Sequence, residues 1–136
     1  MRIMALDHGT VRIGVAVSDE LKMIALPLEF IPAEPLGGVF TRIGQLLQEK
    51  EVEQIVVGMP RNMDGTYGPA AEKVRGFVEQ LRSITSVPIR LWDERLTSTQ
   101  ANRILIQGNV SRKNRKKVVD QTAAAILLQS YLDTLS

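Results

Sequence analysis

Two apolar runs joined by a turn signal constrain this chain most. Residues 3–6 and 11–17, the second with Arg12 as its one polar member, flank Asp7-His8-Gly9-Thr10. That tetrapeptide folds the first run back onto the second as a hairpin. Asp7 then ends a largely buried strand, where a carboxylate loses water and finds no cation among its near neighbours in sequence. It needs a partner from elsewhere, such as a metal ion or a hydroxyl. Gly9 and Gly14 keep the surface beside it free of side chains, so a phosphate or a backbone can come close. Asp7 reads equally as a metal ligand or catalytic acid and as an acceptor for the turn amides.

The remaining elements follow in order. Residues 23–31 read as a third strand, and Pro27, which has no amide hydrogen, belongs at a sheet edge or a bulge. Residues 37–51 form a helix whose stripe is Val39, Phe40, Ile43, Leu46 and Leu47. Residues 53–58 are apolar on both faces and predict a short central strand. A loop over 59–68 turns at Asp64-Gly65, and Pro69 opens a second helix that buries Val74, Phe77, Val78, Leu81 and Ile84. Residues 88–92 are the fifth strand, running into Asp93-Glu94-Arg95. Thr97-Ser98 caps a third helix reaching about Gln107, stopped by Gly108-Asn109. A basic loop over 111–117 precedes the last helix, 118–135, with Val119, Ala123, Ile126, Leu127 and Tyr131 inward.

A meander followed by strand–helix–strand crossovers predicts an α/β fold, with a five-stranded mixed sheet flanked by about four helices. Its first three strands are antiparallel. A length of 136 residues suits one domain, 1–136, and is too short for two. With no cysteine, disulfides and thiolate metal sites are excluded, and a reducing compartment is consistent. The first six residues are too short for a signal peptide and no apolar run reaches membrane-spanning length. A soluble cytoplasmic protein is expected.

In an open sheet with crossovers, functional groups gather at the carboxyl ends of the parallel strands. Asp7 ends the first strand, and Asp93 and Glu94 end the fifth. Asp120 falls in the first turn of the expected last helix, where negative charge suits the helix dipole. The small residues Ala123, Ala124 and Ala125 let that turn approach the sheet. Asp7, Glu94 and Asp120 together would make an all-oxygen site, which hard ions such as Mg²⁺ or Mn²⁺ prefer. A pair of such ions stabilises the entering and leaving oxygens of a phosphodiester in an in-line displacement. Each acid also has a plainer reading. Asp120 serves as a helix-capping acid, and Asp93 or Glu94 as the partner of Arg95. His8 reads as a turn residue donating to the backbone rather than as a general base.

Four groups of residues carry a resemblance. They are Asp7-x-Gly9-Thr10, Gly58-Met59-Pro60 with Asn62-x-Asp64-Gly65, Asp93-Glu94-Arg95-Leu96-Thr97, and Asp120-x-x-Ala123-Ala124. In this order and at these intervals they resemble the YqgF (RuvX) family of bacterial proteins, over essentially the whole chain. The resemblance implies an RNase H-like fold. It also implies a nuclease, described for the family both as processing the 5′ end of pre-16S ribosomal RNA and as a Holliday junction resolvase. By the same resemblance Asp7, Glu94 and Asp120 would be the metal-binding catalytic acids. The wider RuvC-like group carries an acid at the end of the fourth strand, where this chain has Gly58-Met59-Pro60. Glu94 on the neighbouring strand would replace it, with Asp93 as competitor.

The run Arg112, Lys113, Arg115, Lys116 and Lys117 holds five of the 17 basic residues and no acid, and leads towards Asp120. It is the electrostatic candidate for phosphates, giving affinity and orientation with little sequence preference. A solvated charged loop is the alternative. Arg12 and Arg95 are placed to brace a phosphate, and Tyr67 to stack on a base. With aromatics at 4% of the chain, recognition would rest on backbone shape. The leading expectation is a metal-dependent endonuclease acting on structured RNA, with ribosomal particles as further partners. The alternatives are a DNA junction resolvase, which needs a stable dimer where a monomer or weak homodimer is expected, and a non-catalytic nucleic-acid-binding factor. Asp7-x-Gly9-Thr10 also resembles the phosphate-binding turn of the actin and sugar-kinase group, which uses two such domains where this chain supplies one.

Overall fold

The computed structural model describes residues 1–61, 64–94 and 122–135. Its elements are β1 (Arg2–His8), β2 (Arg12–Ser18), β3 (Ala25–Pro32), α1 (Leu36–Glu49), β4 (Val52–Met59), α2 (Pro69–Ile84), β5 (Ile89–Asp93) and α3 (Ala123–Asp133). The five strands form one sheet in the order β3-β2-β1-β4-β5. The β1/β2 and β2/β3 pairs are antiparallel, whereas β1/β4 and β4/β5 are parallel. This is the expected mixed sheet with its meander. Three helices flank it among the described residues, and the helix expected over 97–107 lies outside them.

Strand alternation builds two cores. Met4, Leu6, Ile13, Val15, Ile55 and Val57 point to one face and meet Val39, Ile43 and Leu46 of α1 and Val74, Phe77 and Leu81 of α2. Ile3, Ala5, Ala16 and Val56 point to the other and meet Ala124, Leu127, Leu128 and Tyr131 of α3. With both faces covered, β4 is buried from Ile55 to Met59, as a central parallel strand should be. Pro27 sits on the edge strand β3, and the β2/β3 register shifts between Val15 and Ala16 beside it. Edge and irregularity coincide at the residue that cannot donate to a ladder.

Most boundaries shift by one or two residues, and two of the differences bear on the site. β1 runs through His8, which pairs with Ile13, so the hairpin loop is shorter and His8 is a strand residue. α3 starts at Ala123, because Thr122 has extended backbone and its hydroxyl accepts from the Ala125 amide at 3.1 Å. A threonine caps the helix, and no acid lies in its first turn. Asp120 itself lies outside the described residues.

Candidate active site

On β1, Ile3 and Ala5 lie on the α3 side, so the two-residue period places Asp7 there and His8 on the opposite side. Asp7 pairs with Gly14 across β1/β2. A Cβ built on Gly14 would stand 3.5 Å from Ala124 Cβ, 3.5 Å from Phe30 Cε1 and 3.6 Å from Asp7 Cβ. The close backbone approach expected at Gly14 is therefore made by the first turn of α3, and the small Ala124 permits it.

The same period separates the two acids that end β5. Trp92 packs under α3. Asp93 pairs with Met59, a member of the α1/α2 core, and its Oδ2 lies 3.4 Å from Arg61 Nη1. Glu94 comes back to the α3 side. Its amide donates to the Met59 carbonyl at 3.1 Å, continuing the ladder one residue beyond the strand.

To reach Asp7 the Glu94 side chain must cross β4, which lies between β5 and β1. It crosses at Gly58. A Cβ there would stand 2.6 Å from Glu94 Oε1, 3.0 Å from its Cγ and 3.2 Å from its Cδ. The glycine leaves the volume through which the side chain passes, and Glu94 hydrogen-bonds with Asp7. Burial raises the Glu94 carboxyl to about 7, helped by the Asp7 charge, the bond to Asp7 and the Asp93 charge. Of the two acids that end β5, Glu94 meets Asp7, and Asp93 turns away to Arg61.

This donor set fits a divalent cation. It is all oxygen and partly desolvated, and burial, with the neighbouring carboxylate charges adding to it, holds one member towards its protonated form. Among the described residues no group of three acids or histidines converges to hold a metal. The third expected ligand, Asp120, lies outside them, as do Arg95, Arg112, Lys113, Arg115, Lys116 and Lys117.

Arg12 stands at the rim. Its guanidinium carbon lies 3.9 Å from the Phe30 ring centroid, and Phe30 pairs with Gly14, so cation and ring flank Asp7 on the α3 side. His8 packs its ring 4.8 Å from Phe77, away from the acids. Burial lowers its pKa, with Asp7 opposing and Lys73 reinforcing the shift. Tyr67 is engaged by cations: the guanidinium carbons of Arg61 and Arg75 each stand 4.6 Å from its ring centroid. Arg61 Nε also donates to the Gly65 carbonyl at 3.0 Å, tying this loop to the end of β5 through Asp93. Sequence reasoning missed Phe30, Arg61 and the role of Gly58. The available signal was a glycine inside an otherwise bulky buried strand.

A family model described as "RuvX: Holliday junction resolvase" matches residues 1–134. The chain belongs to the RuvX family. A relative from Halothermothrix orenii, named "Putative pre-16S rRNA nuclease", is 50% identical over 133 residues, covering 98% of this chain and 95% of its own. One of the same name from Thermoanaerobacter pseudethanolicus is 50% identical over 135 residues, covering 98% and 97%. Among solved structures, RuvC of Thermus thermophilus superposes with a TM-score of 0.58 at 16% identity, covering 99% of this chain and 96% of that one. That likeness shows the RNase H-like fold.

Proposed function

We propose that this RuvX-family protein is a metal-dependent nuclease that hydrolyses phosphodiester bonds in the 5′ extension of pre-16S ribosomal RNA. The observation that carries the reading is the meeting of Asp7 and Glu94 over Gly58 at the carboxyl ends of parallel strands. The names of relatives at half identity over nearly the full chain supply the substrate.

Asp7 and Glu94 are the metal ligands from the described residues, and Asp120 is the third. Chain length alone supports Asp120, which is two peptide units from Thr122, a reach of about 7 Å at most. Thr122 caps the helix whose first turn rests on Gly14 beside Asp7. Mg²⁺ or Mn²⁺, bound as a pair, would supply an activated water and neutralise charge developing on the phosphate oxygens. The chain does the rest. Glu94, held towards its protonated form by burial, would lose its proton on serving with Asp7 as a ligand. Asp7 stands on β1, and Glu94 lies one residue beyond β5 with its amide tied to the Met59 carbonyl, which holds the two acids in fixed relation. Arg12, stacked on Phe30, is oriented to take a phosphate oxygen at the rim. Arg95 and the Arg112–Lys117 run grip the flanking backbone, so affinity should fall with salt.

The test is Mg²⁺-dependent cleavage of a pre-16S 5′-extended RNA by wild type and Asp7→Asn. The wild type should cut, and Asp7→Asn should lose about 100-fold or more, at least as much as loss of outer-shell support costs a metal site. Equal rates in the two proteins would overturn the reading; binding without cleavage in both would leave a nucleic-acid-binding factor. The description of the family favours a second reading, a junction resolvase. Paired, symmetric cuts in a four-way DNA junction by a stable dimer would support it, because two coupled sites are required. Single nicks by a monomer would not.

A further inference from the structure

Gly58 is the one residue of β4 that stands between Asp7 and Glu94 on the α3 side, and its backbone is ordinary strand: the positive-φ glycine among the described residues is Gly65. A side chain at position 58 is therefore conformationally acceptable. What it would meet is Glu94, whose Oε1 lies 2.6 Å from a Cβ built there. An aspartate's carboxylate oxygens lie roughly 2.4 Å from its own Cβ by standard bond lengths. The Glu94 carboxylate oxygen thus occupies the shell that an aspartate at 58 would fill with its own.

We infer that position 58 is a second seat for the same carboxylate: the site accepts this acid from β4 or from beyond β5, and Gly58 is a positioning residue because its missing side chain admits Glu94. The inference rests on the proposed metal site and adds a requirement to it. One carboxylate is needed in that volume, whichever strand delivers it, and any other side chain at 58 displaces Glu94. A Cβ contact of 2.6 Å demands movement, since Cβ atoms do not approach other heavy atoms so closely.

The experiment is a Mn²⁺ titration followed by quenching of Trp92, the single tryptophan, which pairs with Gly58 in the β4/β5 register. Wild type, Glu94→Ala, Gly58→Ala and the double variant Gly58→Asp/Glu94→Ala are compared. Glu94→Ala should weaken Mn²⁺ binding by about tenfold or more, because it takes one carboxylate out of the site, and Gly58→Ala should weaken it too, because the added methyl group forces the Glu94 carboxylate to shift from its place beside Asp7. The double variant should return to within about threefold of wild type, a difference under 1 kcal/mol. A folded double variant that binds no better than Glu94→Ala overturns the inference. So does Gly58→Ala binding as tightly as wild type, and this alone decides the matter if near-ultraviolet circular dichroism shows the double variant unfolded. Wild type without saturable Mn²⁺ quenching would instead sink the metal-site reading itself, and the inference with it. Loss in Glu94→Ala without rescue sinks only the inference.

Discussion

Asp93 and Glu94 are chemically alike and adjacent, yet one binds Arg61 on the α1/α2 side while the other meets Asp7 beneath α3. Their order in the chain ranks neither above the other. The strand period separates them, and the phase of that period is set by Trp92 docking under α3. The Glu94 environment has a consequence in solution. Its carboxyl is raised from 4.5 to about 7, so between these values the folded chain holds a proton that the unfolded chain has released. Stability of the metal-free protein is therefore favoured at the acid end of that window and declines as pH rises through about 7. Melting midpoints in chelator, followed across this range, should fall more steeply for wild type than for Glu94→Gln. Parallel curves would mean that Glu94 does not share Asp7's environment.

At the scale of elements, α3 is joined to the meander by polar contacts as well as by its apolar face. Gln129 Oε1 accepts from the Ala25 amide at 2.9 Å, and its Nε2 donates to the Met23 carbonyl at 3.0 Å. This bridge fixes α3 along β3 while Ala124 fixes its first turn over Gly14. Gln129→Ala leaves a poorly solvated amide without its partner and should cost about 1–2 kcal/mol in urea unfolding, with the slope unchanged. Wild-type stability in that variant would show that the bridge is not formed in solution. Most elements were legible from pattern alone: the apolar stripe of α1, the doubly buried β4 and the proline opening α2 all occur where periodicity and turn chemistry put them. The start of α3 was not. Helical spacing over Val119, Ala123, Ile126 and Leu127 continues upstream of Thr122, and periodicity does not register the extended backbone and hydroxyl cap that begin the helix at Ala123.

For the whole molecule, the proposed metal site predicts that a cation bound between the two acids adds to folding stability. At Mn²⁺ about 100-fold above its dissociation constant, linkage supplies about 2.7 kcal/mol, a rise in melting midpoint on the order of 10 °C for a domain of this size. Chelator should reverse it, and Asp7→Asn should abolish it. An equal rise in that variant would place the stabilising cation elsewhere on the molecule. By itself the sequence determined the α/β class, the succession of the described strands and helices, that the strand with Pro27 lies at an edge or a bulge, and the presence of acids at strand ends. These follow from local rules: side-chain period, turn residues and proline's missing amide. Only the tertiary structure decided that β4 lies between β1 and β5, that Glu94 rather than Asp93 crosses it, and that Gly58 provides the passage. Strand order and sheet face are properties of the assembled sheet, and residues 87 positions apart meet only after two crossovers have stacked their strands.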